Sequence, residues 1–193
     1  MKFVYAPGAT PLSPEELEGL IPGHITTQVE LNAWEQQNIL EGRDRLARRG
    51  PGKLLSDAAV KLVHERMFDK TWSWAGQYRT SGKNIGADWA QIPERVRVLC
   101  DDVQAQVEHK AYPADEIAAR FHHRLVAIHP FANGNGRHAR QMADMLLQSL
   151  GNEPFTWGRS DLNKTGDARD RYLAALHAAD AHDYDLLFKF VRS

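Results

Sequence analysis

The chain has few cysteines, little net charge and no long apolar segment. Its single cysteine, Cys100, excludes an internal disulfide framework and suits a reducing compartment. Cys100 also shares a helical period with Val96, Leu99 and Val103. We therefore expect a core thiol at this position and not a nucleophile.

Charge and hydropathy exclude further classes of protein. The formal net charge of −1 gives the chain no overall attraction to nucleic acid or to an anionic membrane. No stretch approaches the ~20 apolar residues that a membrane span requires, and the N-terminal sequence MKFVYAPG lacks the apolar core of a signal peptide. We expect a cytoplasmic protein with neither a membrane nor a nucleic acid among its partners.

Capping residues and helix breakers predict a mainly helical chain. In Ser13-Pro14-Glu15-Glu16, proline follows a serine cap at the first helical position, and glutamate lies three residues after the cap. Similar signals and apolar periods predict further helices over residues 27–49, 57–68, 93–110, 114–128, 137–150, 160–181 and 186–191. Residues 1–12 are expected to form an irregular arm.

Residues 72–92 differ from the rest of the chain. They contain Gly76, Gly82 and Gly86 and lack a helical period, which favours a loop with a small β-hairpin. We therefore expect an all-α fold with a small β-hairpin flap. An N-terminal arm and helix over residues 1–55 would precede a core over residues 56–193, all within one compact domain.

Residues 129–140, HPFANGNGRHAR, carry a candidate phosphate site. Gly134 and Gly136 lie where a helix is about to begin, so backbone N–H groups and the positive helix end should converge on one point. Arg137 and Arg140 are three residues apart on that helix and match a polyphosphate better than a single carboxylate. A capped turn with an exposed arginine pair is the alternative interpretation.

His129 directly precedes this loop. A histidine near pH 7 can accept a proton from an attacking hydroxyl. An isolated histidine in an apolar setting is more often a hydrogen-bonded core residue. The adjacent phosphate site favours the role of a base.

Residues 129–140 resemble the signature loop of the Fic family, His-Pro-Phe-x-(Asp/Glu)-Gly-Asn-Gly-Arg-x-x-Arg, and depart from it at Asn133. Residues 74–80 and 83–86 are similar to the family's flap region. Small stand-alone members include a group associated with mobile elements, called mobile mystery protein B, which is one placement for this chain. The resemblance implies the mainly helical Fic fold.

The resemblance also implies a reaction, in which a protein adenylyltransferase moves AMP from ATP to a Ser, Thr or Tyr hydroxyl of a target protein. His129 would be the base. The nucleotide phosphates would be held by Gly134, Asn135, Gly136, Arg137 and Arg140. ATP and an unidentified target protein would be the partners, with self-modification and a homo-oligomer as further options.

Asn133 complicates this expectation. The family's acid at this position holds Mg²⁺, whereas Asn133 offers only a neutral carbonyl oxygen, a weaker ligand for Mg²⁺ or Mn²⁺. We expect weak metal binding through that carbonyl. Two alternatives stay open: removal of AMP by the same site, or a nucleotide-binding or interaction module without transfer.

Two further segments acquire roles from the resemblance. Lys83, Asn84, Ile85 and Gly86 would form the flap edge that docks the target backbone. The segment 37–42, QNILEG, resembles the family's inhibitory helix, so Glu41 would pair with Arg140 and compete with the γ-phosphate.

Overall fold

A computed structural model describes residues 10–48, 50, 52–159, 162 and 166–193. The α-helices in this part of the chain are α1 (Pro14–Leu17), α2 (Gln28–Arg48), α3 (Asp57–Phe68), α4 (Ile92–Glu108), α5 (Ala114–Ile128), α6 (Asn135–Ser149), α7 (Asp167–Asp180) and α8 (Asp185–Val191). Short 3₁₀ segments lie at Trp89–Gln91 and Trp157–Arg159. The prediction of an all-α fold is confirmed.

The predicted caps form at the helix starts. The Glu16 N–H donates to Ser13 Oγ at 3.2 Å, and the Ser13 N–H donates to Glu16 Oε2 at 2.7 Å, which is a reciprocal capping box. Ser56 accepts from the Ala59 N–H at the start of α3. Local polar residues therefore set where α1 and α3 begin.

Other boundaries differ modestly from the prediction. Helix α6 begins at Asn135, two residues before the predicted start, because Gly134 takes a left-handed conformation (φ +77°) that ends the preceding loop. Helix α7 begins at Asp167, after Gly166, and later than predicted. Arg49, Ser160 and Asp161 lie outside the described residues.

The predicted β-hairpin is wrong. Residues 72–91 form turns and a single 3₁₀ segment, and Trp72 makes only an isolated bridge to Leu20. The cause is Arg79, whose side chain donates to the carbonyls of His129, Ser81 and Ala87. Since a guanidinium takes these acceptors, the segment is fixed on the loop after α5 and does not pair with itself.

The core lies between helix pairs. Helix α5 packs against α4 and α6, α2 packs against α3, and α7 packs against α8. Cys100 is buried, and burial raises the pKa of its thiol to about 11, so the expected core role is confirmed.

No helix in the described ranges combines the length and apolarity of a membrane span. The division near residue 55 stays a prediction.

Candidate active site

His129 ends helix α5 in a left-handed conformation, φ +54°. Such a φ is uncommon outside glycine, and the neighbouring chain enforces it here. Arg79 Nε donates to the His129 carbonyl at 2.7 Å. A side chain at Gly86 would place its Cβ 2.6 Å from His129 Cβ, so this glycine permits the flap loop to approach.

The His129 ring is buried and neutral. Burial, and then the charges of Arg79 and Lys83, lower the pKa of His129 to about 4. Its Nε2 lies 3.1 Å from Thr10 Oγ1, and its Nδ1 has no hydrogen-bond partner within the described structure. At neutral pH the ring therefore holds a lone pair that can take a proton.

The loop between α5 and α6 is closed by its own asparagine. Asn135 Oδ1 accepts from the Phe131 N–H at 2.9 Å, and Asn135 Nδ2 donates to the Phe131 carbonyl at 2.8 Å. A Cβ at Gly134 would lie 2.5 Å from the Phe68 ring, so glycine is required there. Among the described residues, no side chain caps the α6 N-terminus, and its first turn has no acidic residue. These N–H groups are therefore suited to an anion.

His64, which the sequence analysis did not single out, supports this loop. Its ring stacks on Phe131 with centroids 3.7 Å apart. The Gly76 N–H donates to His64 Nδ1 at 3.0 Å, so the proton is on Nε2 and is donated to the Asn133 carbonyl at 3.1 Å. Burial lowers the pKa of His64 well below its usual value. One neutral ring thus connects the segment after α3 to the signature loop.

Two more buried histidines lie on helices α5 and α6. His122 Nε2 lies 3.0 Å from the Tyr172 hydroxyl, and His138 Nε2 lies 2.9 Å from the Val60 carbonyl. Burial lowers the pKa of each ring to about 3. Both rings are structural and neutral.

The two signature arginines have different partners. Arg137 Nη1 lies 2.6 Å from Glu35 Oε2, in an ion pair whose arginine side chain is 17% exposed and whose glutamate side chain is 3% exposed. Arg140 lies beside Tyr172, with its guanidinium carbon 5.7 Å from the ring centroid. No carboxylate of the described residues forms an ion pair with Arg140. Arg137 is therefore paired with a carboxylate, whereas Arg140 interacts with the neutral Tyr172 hydroxyl.

Glu35 is the functional candidate that the sequence analysis missed. Its side chain is 3% exposed, Trp72 Nε1 donates to Oε1 at 2.7 Å, and Asn133 Nδ2 lies 3.3 Å from the same oxygen. A usable signal exists in the sequence, because Glu35 is four residues from both Leu31 and Ile39 on the buried stripe of α2. A carboxylate on an apolar stripe needs a partner.

The predicted contact of Glu41 with Arg140 is wrong. Glu41 accepts from Lys70 and, at 2.9 Å, from Gln37, and its side chain is 39% exposed. At 3.6 residues per turn, six residues place Glu41 roughly 120° around α2 from Glu35. Gly42 has a packing reason instead, since a Cβ there would lie 2.0 Å from the Arg66 carbonyl of α3.

The predicted flap residues lie at the rim of the site. Lys83 Nζ lies 2.5 Å from Glu16 Oε2 and 3.0 Å from the Pro11 carbonyl. Ile85 and Gly86 line the site, and Asn84 is exposed. Their docking role stays a prediction.

Asn133 is a poor fit to a metal ligand. Its Oδ1 accepts from the Gly134 N–H at 2.7 Å, and its amide nitrogen points toward Glu35. No group of three or more His, Cys, Asp or Glu side chains in the described part of the chain is arranged to hold a metal ion.

These parts surround one cavity of about 600 Å³, here called the site cavity. Its lining includes His129, Asn133, Gly134, Asn135, Gly136, Arg137, Arg140, Glu35, Thr10, Ile85, Gly86 and Tyr172. The size is typical of a small-molecule site. The structure thus brings the predicted base and phosphate-binding residues together around one ligand-sized space.

Comparisons with known proteins identify the family. The model of the Fic/DOC family matches residues 54–147. A relative from Sinorhizobium fredii, named "Probable protein adenylyltransferase y4lH", is 31% identical over 139 residues, covering 67% of this chain and 70% of that protein. The chain belongs to the Fic/DOC family. The resemblance noted in the sequence is confirmed.

Two further Fic proteins define the extent of the likeness. Protein adenylyltransferase fic-1 of Caenorhabditis briggsae is 31% identical over 120 residues, 61% of this chain, and the chain spans only 22% of that relative's length. The structure of BepC from Bartonella tribocorum with bound AMPPNP has a TM-score of 0.70 at 18% identity, covering 93% of this chain and 97% of that one. That likeness shows a shared fold.

Proposed function

We propose that this Fic protein transfers AMP from ATP to a Ser, Thr or Tyr hydroxyl of a protein. The observation that carries the proposal is the shared space: His129, the α6 N-terminus and both signature arginines line the site cavity. The relatives named as adenylyltransferases and the AMPPNP complex of BepC support it.

The residues divide the chemistry between them. His129 Nε2 accepts the proton of the attacking hydroxyl while its oxygen bonds to the α-phosphorus and the bond to pyrophosphate breaks. The N–H groups at Gly134, Asn135 and Gly136 stabilise the charge on the phosphate oxygens. Arg137 and Arg140 hold the rest of the phosphate chain.

The low pKa of His129 belongs to the site without nucleotide. Two positive groups, Arg79 and Lys83, contribute to it together with burial. The negative charge of a bound triphosphate acts in the opposite direction and favours the protonated ring. ATP therefore makes His129 a stronger base when a base is needed.

Glu35 restrains the reaction in this proposal. Its ion pair occupies Arg137, so ATP must compete with a buried carboxylate for that guanidinium. The autoinhibitory role that the sequence suggested for Glu41 thus passes to Glu35, which acts on the first signature arginine.

Metal and location are secondary parts of the proposal. Mg²⁺ or Mn²⁺ would accompany ATP as its counterion, because Asn133 supplies only a neutral oxygen that already accepts a hydrogen bond. No step is assigned to the metal. A cytoplasmic site of action fits the lone buried cysteine.

The test uses ATP labelled at the α-phosphate with wild type, Glu35→Gln and, as a matched control on the exposed side of the same helix, Glu41→Gln. Glu35→Gln should raise covalent labelling roughly 10-fold to 100-fold, since a hydrogen bond to a charged group contributes about 1.5–3 kcal/mol. Glu41→Gln should leave labelling unchanged.

Adding His129→Ala to Glu35→Gln should abolish the label, because the base is lost, while ATP binding persists in calorimetry. Label that survives His129→Ala would contradict the assigned base. ATP binding without any label in Glu35→Gln would contradict transfer itself.

A further inference from the structure

Thr10 places a hydroxyl against the base. Its Oγ1 lies 3.1 Å from His129 Nε2, and Thr10 lines the site cavity together with the phosphate-binding loop. With the proton of His129 on Nδ1, Nε2 accepts from this hydroxyl. The position is the one that an acceptor hydroxyl must take for transfer.

The segment that carries Thr10 is anchored. Glu16 accepts from Lys83 at 2.5 Å and from Ser81 Oγ at 2.8 Å, and the side chains of the Lys83–Glu16 pair are 5% and 13% exposed. Burial raises the pKa of Glu16, but the hydrogen bonds from Lys83, Ser13 and Ser81 outweigh it and hold the pKa below its usual value. Glu16 is therefore a charged anchor.

The anchor reaches the backbone beside Thr10. Lys83 Nζ also donates to the Pro11 carbonyl at 3.0 Å, one residue after Thr10. Trp74 Nε1 donates to the Glu16 carbonyl at 2.9 Å. Residues 10–16 thus lie along the flap loop, where the family resemblance predicts the docking of a target backbone.

We propose that Thr10 is an AMP acceptor within its own chain, with residues 10–16 bound as a built-in target segment. The proposal rests on the proposed transfer activity. The Thr10 proton passes to His129 Nε2, Oγ1 forms a bond to the α-phosphorus of ATP, and the bond to the β-phosphate oxygen breaks to release pyrophosphate.

The contacts of Thr10 favour the role of AMP acceptor over that of a residue that only obstructs His129. Thr10 Oγ1 contacts the base, and among the described residues no hydrogen bond joins Thr10 to Arg137, Arg140 or the N–H groups of the loop. The phosphate-binding part of the site cavity is therefore left to ATP while the hydroxyl is already engaged.

The first experiment compares Thr10→Val, Thr10→Ser and Thr80→Val, each in the Glu35→Gln background, after incubation with ATP. Thr80 is an exposed threonine on the neighbouring flap loop and serves as the matched control. Peptide mass spectrometry should find an AMP adduct on Thr10 in the parent, on Ser in Thr10→Ser, and on Thr10 in Thr80→Val. In Thr10→Val the adduct on this peptide should be absent.

A mixing experiment tests whether transfer is intramolecular. Thr10→Val retains the base and lacks the hydroxyl, whereas His129→Ala retains the hydroxyl and lacks the base. Mixed in the presence of ATP, the two should leave Thr10 of the His129→Ala chain unmodified, because the acceptor is used by its own site.

The outcomes separate the two proposals. An adduct that maps to other residues and persists in Thr10→Val overturns the acceptor role and leaves the transfer activity standing. A rise of labelling elsewhere in Thr10→Val, with no adduct on Thr10 in the parent, shows that Thr10 only obstructs the base and also overturns the acceptor role. No adduct in any variant, with ATP bound, overturns both. Label on Thr10 of the His129→Ala chain in the mixture overturns the intramolecular step.

Discussion

The two sides of the site cavity use charge in opposite ways. Helix α6 and its preceding loop present N–H groups and arginines to an anion. The N-terminal side supplies Glu35 from α2 and the Thr10 hydroxyl, and these two groups engage Arg137 and His129. One side is suited to an anion, and the other contacts the arginine and the histidine of the same cavity. In the proposed function, regulation and catalysis therefore share individual atoms.

Substitution of the two arginines should have the largest effect on nucleotide binding. Arg140→Ala should weaken ATP binding on the order of 10-fold to 100-fold, since a charged hydrogen bond contributes about 1.5–3 kcal/mol. Arg137→Ala should weaken ATP binding less, because Arg137 must first give up its ion pair with Glu35 to contact the nucleotide. Calorimetric titration with a non-hydrolysable ATP analogue measures both.

The Glu35→Gln background supplies the control for that comparison. There the two arginine substitutions should have similar effects, since Arg137 is no longer engaged by a carboxylate. If Arg137→Ala is as severe as Arg140→Ala in the wild type, Glu35 does not compete with the nucleotide.

A smaller effect is expected from Asn133→Asp. The new carboxylate would lie beside Glu35, where the amide nitrogen now lies 3.3 Å from Oε1, so repulsion should weaken the Glu35–Arg137 pair. It would also supply a charged oxygen to Mg²⁺. We expect labelling to rise about tenfold, which corresponds to about 1.4 kcal/mol.

The double variant Glu35→Gln, Asn133→Asp separates the two causes. If repulsion dominates, Asn133→Asp should add little once Glu35 is neutral. A full tenfold gain that persists there and grows with Mg²⁺ concentration would assign the effect to the metal.

The smallest effect is a shift of the His129 pKa. In the free protein, NMR should find the ring neutral down to about pH 4. Lys83→Met should raise this pKa, because it removes one of the positive groups that lower it. Val98→Met, at an exposed position of α4, is the matched addition of a methionine without loss of a charge and should leave the titration unchanged. A Lys83 variant with the wild-type titration would remove Lys83 from the causes.

The sequence predicts the nucleotide side better than the N-terminal side. Residues 129–140 act as neighbours in the chain, so spacing alone brings the base, the loop and the arginines together. The position of the Glu35 side chain depends on how α2 is rotated about its axis against α3. Gly42 fixes that rotation through its close contact with the Arg66 carbonyl. That contact spans distant residues, and no local pattern contains it.

The failed hairpin has a similar cause. Glycines and the lack of a helical period in residues 72–92 correctly indicated a non-helical segment. Arg79 favours an irregular loop over strand pairing, because its side chain donates hydrogen bonds to three carbonyls, including that of His129 after α5. A side chain with five donors can replace a ladder of backbone hydrogen bonds, and its partners were not visible in the sequence.

Four of the buried histidines in the described residues make this site sensitive to acid. His64, His122, His129 and His138 all have pKa values below the usual value near 6.5, with burial as the first cause. Below about pH 6.5 these four histidines bind protons in the unfolded chain but stay neutral in the folded protein, so unfolding takes up as many as four protons. Acidification therefore lowers the free energy of unfolding with a steep, multi-proton slope, and the nucleotide-binding architecture is lost together with the fold.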